Sequence, residues 1–399
     1  MTHIMIPKIN IQYLNGQLGI QQTPEDGLLA LIVGATAVST TFALNKPYVL
    51  TSADDLTTLG ITSVNNATLY KHVTEFYGEA PAGTKFIIYG VAGTSTMEDV
   101  LDATDGTAGT ARHLLASQSG AIRGLLVGGL AKPSGSDSDD GIDSGVIDAV
   151  ADAQTLAEWV TTTMYAPIFV VLEGQGYDAS KTLKSFALNA TNRVAILLGD
   201  TTSGSDGAAL GVLGGRLSQC AVQRNIGRVA DGALKTEHFY IGTTDAGSAD
   251  TVIADAYDKG YIVPRTYTGR SGYFFTDDNM ACKPTDDYSH LTARRTVDKA
   301  YRIAYDALLD VLIGELPIEE DGTIQRAVIA SWEEMVLSAL NRNMTANGEL
   351  STVNGDGAKV FIDPNQNVVS TSRLNVSIAV RPFGYARYIN VQLGFTATN

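Results

Sequence analysis

The sequence predicts an α/β protein of more than one domain: a layered α/β domain, then a C-terminal α+β domain. Three observations carry this. Short apolar runs alternate with helical patterns through residues 28–265. Two long helical patterns then follow, separated by a Pro/acidic/Gly break. Two alternating segments, RLNVSIAVRP and RYINVQLGF, close the chain. Strand–helix alternation argues for an α/β layer domain.

Size and composition bound the answer. A chain of 399 residues with 44% hydrophobic and 18% charged content can bury a large core in two or more domains. Its 40 glycines against 11 prolines point to many tight turns. No apolar run approaches the roughly 18 residues that span a bilayer, and MTHIMIPKINIQ lacks the layout of a signal peptide. These features predict a protein assembled in cytoplasm, without membrane insertion. The net charge of -15 argues against a direct nucleic-acid partner, because binding phosphates takes clustered Lys and Arg.

Taken in order, residues 4–14 read as a strand-like arm, with Ile9, Ile11 and Tyr13 alternating with Lys8, Asn10 and Gln12. The arm is either an edge strand of its own domain or a strand that pairs with another subunit. Residues 28–34, LLALIVG, form a continuous apolar run, as in a strand covered on both faces. Similar strands are predicted at 85–91, 123–129, 167–173, 193–200 and 238–243. Ser52 and Asn66 are expected helix caps. Leu69, Val73, Phe76 and Tyr77 share one face of a helix ending at Gly78. Residues 208–223 predict a small-residue helix whose glycines permit close packing, and Ser248 is expected to cap another that ends at Gly260.

The search for chemistry is negative. In the acidic loop 132–145, Asp137, Asp139 and Asp140 miss the alternating positions of a calcium loop and no Glu closes one, so a solvated surface loop is expected. The five histidines have no paired-ligand spacing; His72 is expected on the exposed side of its helix, and His290 in local hydrogen bonding. There is no GxSxG elbow and no phosphate-cradling glycine motif. Cys220 and Cys282 have no metal or redox spacing and are expected as buried free thiols. No catalytic residue, cofactor site or metal site is predicted, and the expectation is that the protein is not an enzyme.

The last third is the most informative. After TYTGRSGYFFTDDNMACKPTDDYSHL comes a helix carrying Arg294, Arg295, Asp298 and Arg302, with Val297, Tyr301, Ala304, Leu308 and Val311 as its apolar stripe. The arginines admit two readings: an i,i+4 pair from Asp298 to Arg302 supporting the helix, or guanidinium groups meeting carboxylates across a subunit boundary. In the closing segments, Leu374, Val376, Ile378 and Val380, then Ile389, Val391, Leu393 and Phe395, each define one apolar face. They form an intramolecular hairpin around Pro382, or the last strand leaves to extend a neighbour's sheet.

The ordered set resembles the C-terminal domain of contractile tail sheath proteins, the helical sleeves of bacteriophage tails and related injection machines. It consists of Asp286, Asp287 and Tyr288 before the arginine helix, a second helix bounded by Gly348, and closing strands around Pro382. The resemblance covers the last third well and the N-terminal arm loosely; in the middle only the fold class agrees. It implies an arm (1–20), an α/β domain (21–265) and an assembly domain (266–399) with exchanged terminal strands. It further implies stacked hexameric rings, a homo-oligomer around an inner tail tube with baseplate and tail terminator proteins as partners, in a virion tail assembled in host cytoplasm. Head-to-tail contact gives such open helical assemblies, and contraction is a switch between two packings. Ile9, Ile11, Tyr13, Arg294, Arg295, Arg302, Ile389, Val391, Leu393 and Phe395 are the subunit-interface residues this implies. Competing readings are a nucleotide- or cofactor-using α/β enzyme and a static capsid or surface-layer protein.

Overall fold

The structure, a computed structural model, describes residues 25–393. Ile9, Ile11, Tyr13 and Phe395 lie outside the described residues.

The first elements are β1 (Leu29–Ala35), β2 (Pro47–Leu50), α1 (Asp55–Leu59), α2 (Ala67–Glu79), β3 (Phe86–Ala92), α3 (Met97–Leu101), α4 (Ala111–Ser117), β4 (Gly124–Gly128), α5 (Ser144–Thr163), β5 (Phe169–Glu173), β6 (Val194–Leu197) and α6 (Leu210–Gln219). One six-stranded sheet results, in the order β2-β3-β1-β4-β5-β6. β2 is antiparallel to β3 and every other neighbouring pair is parallel. Leu31 at the centre stands opposite Ile88 on one side and Leu126 on the other. Pro47, which has no N–H to give, opens the edge strand.

Chain direction sets the layers. From β1 the chain crosses to β3 on one side, and from β4 to β5 on the other. Right-handed crossovers then place α2 and α5 on opposite faces. α2 packs closely on α6 because α6 carries glycine at the contact. A Cβ on Gly211 would lie 2.1 Å from the His72 carbonyl oxygen, and one on Gly215 2.5 Å from that of Phe76. No side chain fits there without separating the helices. The same packing overturns the exposed placement expected for His72: it is buried, with its ring 3.7 Å from Glu75 and 3.9 Å from Glu173.

The predicted strand at 238–243 shrinks to β7 (Tyr240–Ile241), paired with β8 (Thr244–Asp245) and outside the main sheet. Tyr240 exchanges backbone hydrogen bonds with Asp200, and the chain then turns away at Gly242 with φ +61. The place beside β6 goes instead to Ile262, bridged in parallel to Leu197. Two expected caps also shift. α1 starts after Asp54, since the Asp55 carboxylate accepts the Thr51 and Ser52 N–H groups at 2.7 and 3.1 Å. Asn66 stands at the start of α2, yet its side chain grips the backbone of Thr36 at 2.7 and 3.0 Å. α7 (Asp250–Asp258) begins after a 3-10 turn that contains Ser248.

The acidic loop is pinned at its far end. Ile142 is fully buried, and Asp143 caps α5 by accepting Gly145 N–H at 2.9 Å while Ser136 Oγ donates to it at 2.9 Å. Asp139 and Asp140 pair on the surface with Lys181 and Lys184. Replacing residues 134–140 with a Gly/Ser linker is therefore expected to change stability by less than about 1 kcal/mol. Asp143→Ala should cost about 2 kcal/mol. Urea unfolding of the two variants checks the contrast; equal losses would refute it.

The chain continues through β9 (Pro264–Tyr267) and β10 (Arg270–Phe275), an antiparallel pair. Phe275, Met280, Ala281 and Cys282 join the core of the main sheet. Both cysteines are buried free thiols. α8 (Leu291–Leu309) and α9 (Arg326–Leu340) pack against each other. Around Ala300, Ala304, Val336, Leu340 and Met344 they build a second core. β11 (Ala358–Ile362), α10 (Val368–Thr371) and β12 (Val376–Val380) complete the fold. β11 and β12 form an antiparallel sheet of only two strands.

Candidate assembly interface

α8 faces the α/β domain with its polar side. Leu291, Arg294, Arg295, Asp298 and Arg302 lie at i, i+3, i+4, i+7 and i+11, one helical stripe. The Asp298 carboxylate accepts Arg294 Nε at 3.1 Å and Nη2 at 2.7 Å, and Arg193 Nη1 at 3.3 Å. Arg193, just before β6, also donates to the Ile168 carbonyl at 3.1 Å. Arg294 lies over the Tyr288 ring at 4.3 Å. Arg295 donates to the carbonyls of Cys220 at 2.8 Å and Leu217 at 3.3 Å, where the end of α6 leaves acceptors open. Arg302 and Lys299 both reach Asp26, at 2.5 and 2.7 Å, and Lys299 also reaches Glu349 at 2.7 Å.

These contacts correct the expected outward reach of the arginines. Arg294 and Arg295 are 6% and 5% exposed, and Arg302 is committed to Asp26. The expected Asp298–Arg302 pair gives way to Asp298 with Arg193 and Arg294. Meanwhile the stripe read as apolar core is half exposed: Ala304 is buried, Val297 and Leu308 are partly buried, and Tyr301 is open. The physical reason is partner supply. Where α8 docks, the α/β domain presents the Leu217 and Cys220 carbonyls, the Asp26 carboxylate and the Arg193 guanidinium, and charged side chains of α8 answer each of them. Burial lowers the affinity of Arg295 and Arg302 for their protons. Burial alone would raise the Asp26 carboxyl, but Lys299 and Arg302 outweigh it and hold it below its ordinary value.

The other exposed region is the end of the chain. β11 and β12 have no further strand partner among the described residues. After the Arg381 N–H donates to the Gly357 carbonyl at 2.8 Å, the described chain makes no regular ladder. Ile389, Val391 and Leu393 are 79%, 78% and 97% exposed. Among the described residues the segment predicted as a strand there has no strand partner, and its apolar side chains are open.

Between these regions lies a cleft of 1060 Å³, lined by Tyr257, Asp277 and the 383–388 segment. Arg387 enters it and pairs with Asp277 at 2.5 Å and Asp278 at 3.7 Å. Tyr385 Oη donates to the Gln223 carbonyl. Burial would raise Asp277, but hydrogen bonds from Asp278 and Arg387 and the charge of His290 bring it down to about 2. Burial pushes Asp278 up. Asp277, Asp278 and His290 place ligand atoms within 4.8 Å of one another, a spacing that suits a cation, and the Arg387 guanidinium supplies that charge. Sequence reasoning pointed to Asp286 and Asp287 rather than this pair; the only local signal was the acidic doublet inside an aromatic segment.

Two family models account for nearly the whole chain: DUF2586, N-terminal domain, over residues 6–279, and DUF2586, C-terminal domain, over residues 287–399. The chain belongs to the DUF2586 family. This DUF2586 chain also superposes end to end on solved structures. It matches the anti-feeding prophage helical sheath in the contracted state with a TM-score of 0.63, at 14% identity, over 99% of this chain and 100% of that one. It matches the contracted sheath complex of PVC, an extracellular contractile injection system, with a TM-score of 0.60, at 12% identity, over 100% and 99%. A chain of the six-fold symmetrised anti-feeding prophage baseplate gives 0.62, at 15% identity, over 98% and 99%. No curated protein matches the chain in sequence. The fold of the chain is therefore like that of these contractile sheath chains.

Proposed function

We propose that this DUF2586 chain is the subunit of a contractile sheath, polymerising helically around an inner tube and contracting to drive that tube through a target envelope. The observation that carries the reading is the match to a sheath chain over 99% of this one, together with an exposed apolar segment at Ile389, Val391 and Leu393 and a two-stranded sheet that has no further strand partner among the described residues. A free edge and a free strand of one chain are complementary, and strand addition between copies gives a continuous mesh. The assembly domain proposed is residues 266–399, with its segment 266–282 packed on the α/β body. The arm at residues 1–20, with Ile9, Ile11 and Tyr13, would add to a neighbour's sheet in the same way, and Phe395 would continue the terminal strand. Stacked hexameric rings, a tube, a baseplate and a tail terminator are the partners that follow, in a tail or a related injection machine assembled in cytoplasm. No catalytic step is assigned to the chain.

Electron microscopy of the purified protein tests this. Long striated tubes are expected. Closed shells or flat lattices would instead support a static coat, and small monodisperse particles at every concentration would refute the assembly reading.

A further inference from the structure

We propose that Arg387 anchors the root of the C-terminal arm to its own subunit's α/β body, so that an arm paired into a neighbour pulls on that body. The inference rests on reading residues 389–399 as an exchanged strand. The last ladder bond of the two-stranded sheet is at Arg381, and the chain then crosses the cleft. There Arg387 Nε meets Asp277 Oδ2 at 2.5 Å, and its Nη2 lies 3.5 Å from Asp277 Oδ1 and 3.7 Å from Asp278 Oδ1.

The receiving side is stiff. Asn225 Nδ2 donates to both carboxylates, and Tyr257 Oη lies 3.3 Å from Asp277 Oδ2. The Asp278 side chain accepts the Thr292 N–H at 2.7 Å, and its backbone carbonyl accepts that of Leu291 at 2.8 Å. The anchor therefore seats on the first turn of α8, next to the ion pairs that fasten that helix to the sheet domain. Arg387 is followed at once by the exposed residues Tyr388 and Ile389, which places it at the point where the arm departs.

A latch that holds the arm back from neighbours would look different. It would cover the apolar face of Ile389, Val391 and Leu393, and that face is open. A fixed root instead restricts the directions the arm samples, and such preorganisation lowers the ordering cost of strand pairing.

The test uses the full chain. A fluorophore on Val391→Cys reports arm mobility in the unassembled subunit, the native thiols Cys220 and Cys282 being buried. Arg387→Met is expected to lower its anisotropy to that of a free tail. In unlabelled protein it should raise the critical concentration for tubes about tenfold. Arg387→Lys, which keeps the charge but not the planar fork, should fall between, and it covers the case in which Arg387→Met misfolds. Unchanged anisotropy in the folded Met or Lys variant would overturn the proposal, as would a critical concentration that stays level or falls, the mark of a latch. A chain lacking residues 389–399 separates the two readings. Tubes from it would overturn strand exchange, whereas the anisotropy result judges the anchor by itself.

Discussion

Removing residues 389–399 is expected to abolish polymerisation and leave a stably folded subunit. Ile389, Val391 and Leu393 are 79%, 78% and 97% exposed, so their loss takes almost no buried apolar area from the chain. The stability change should stay within about 0.5 kcal/mol, the range of surface substitutions that break no buried contact. Assembly should fail because the open edges of β11 and β12 lose the strand that would satisfy their backbone groups. Sedimentation and electron microscopy read the assembly, and circular dichroism reads the fold. Normal tubes from the shortened chain would reject terminal strand exchange. Loss of secondary structure would mean that the strand belongs to its own subunit's sheet.

Asp298→Ala should cost about 3–5 kcal/mol of folding stability, because it leaves buried cations without their counter-charge. Arg193 and Arg294 both point at this carboxylate, with side chains 9% and 7% exposed. Neither can turn to water without undocking α8 from the sheet domain. Asp298→Asn keeps an acceptor and should cost less. By the same logic, changing Arg294 and Arg295 together to glutamate should prevent folding rather than disturb contacts between subunits. Chemical denaturation of the single variants provides the measurement. A loss below about 1 kcal/mol for Asp298→Ala would place this network in the class of solvated pairs.

Much of the sheet domain was legible for a simple reason. β1, β3, β4, β5 and β6 are covered on both faces, so they appear as unbroken apolar runs. β2 escaped notice because it is short, opens with Pro47 and leaves Val49 55% exposed. The docking side of α8 could not be read, since hydropathy periodicity assumes that the buried face is apolar. Here the buried face is charged, and its partners lie far away in the chain; Asp26 is 276 positions from Arg302. The Arg387 contact is invisible for the same reason, joining residues 110 apart with no local pattern between them. What the order of segments did carry was the family resemblance, and the fold agrees with it.

The charged seam between α8 and the sheet domain has a mechanical meaning. Apolar burial is non-directional, so a small shift within an apolar contact exchanges one set of partners for a similar one. Guanidinium groups seated on particular carbonyls and carboxylates have no comparable half-way positions, because each small displacement exposes a buried charge before a new partner is reached. This joint therefore behaves as a keyed shaft rather than a bearing. In the proposed sheath, torque arriving at the C-terminal unit would be handed to the sheet domain without lost motion, and rearrangement would be left to the outer surfaces between subunits.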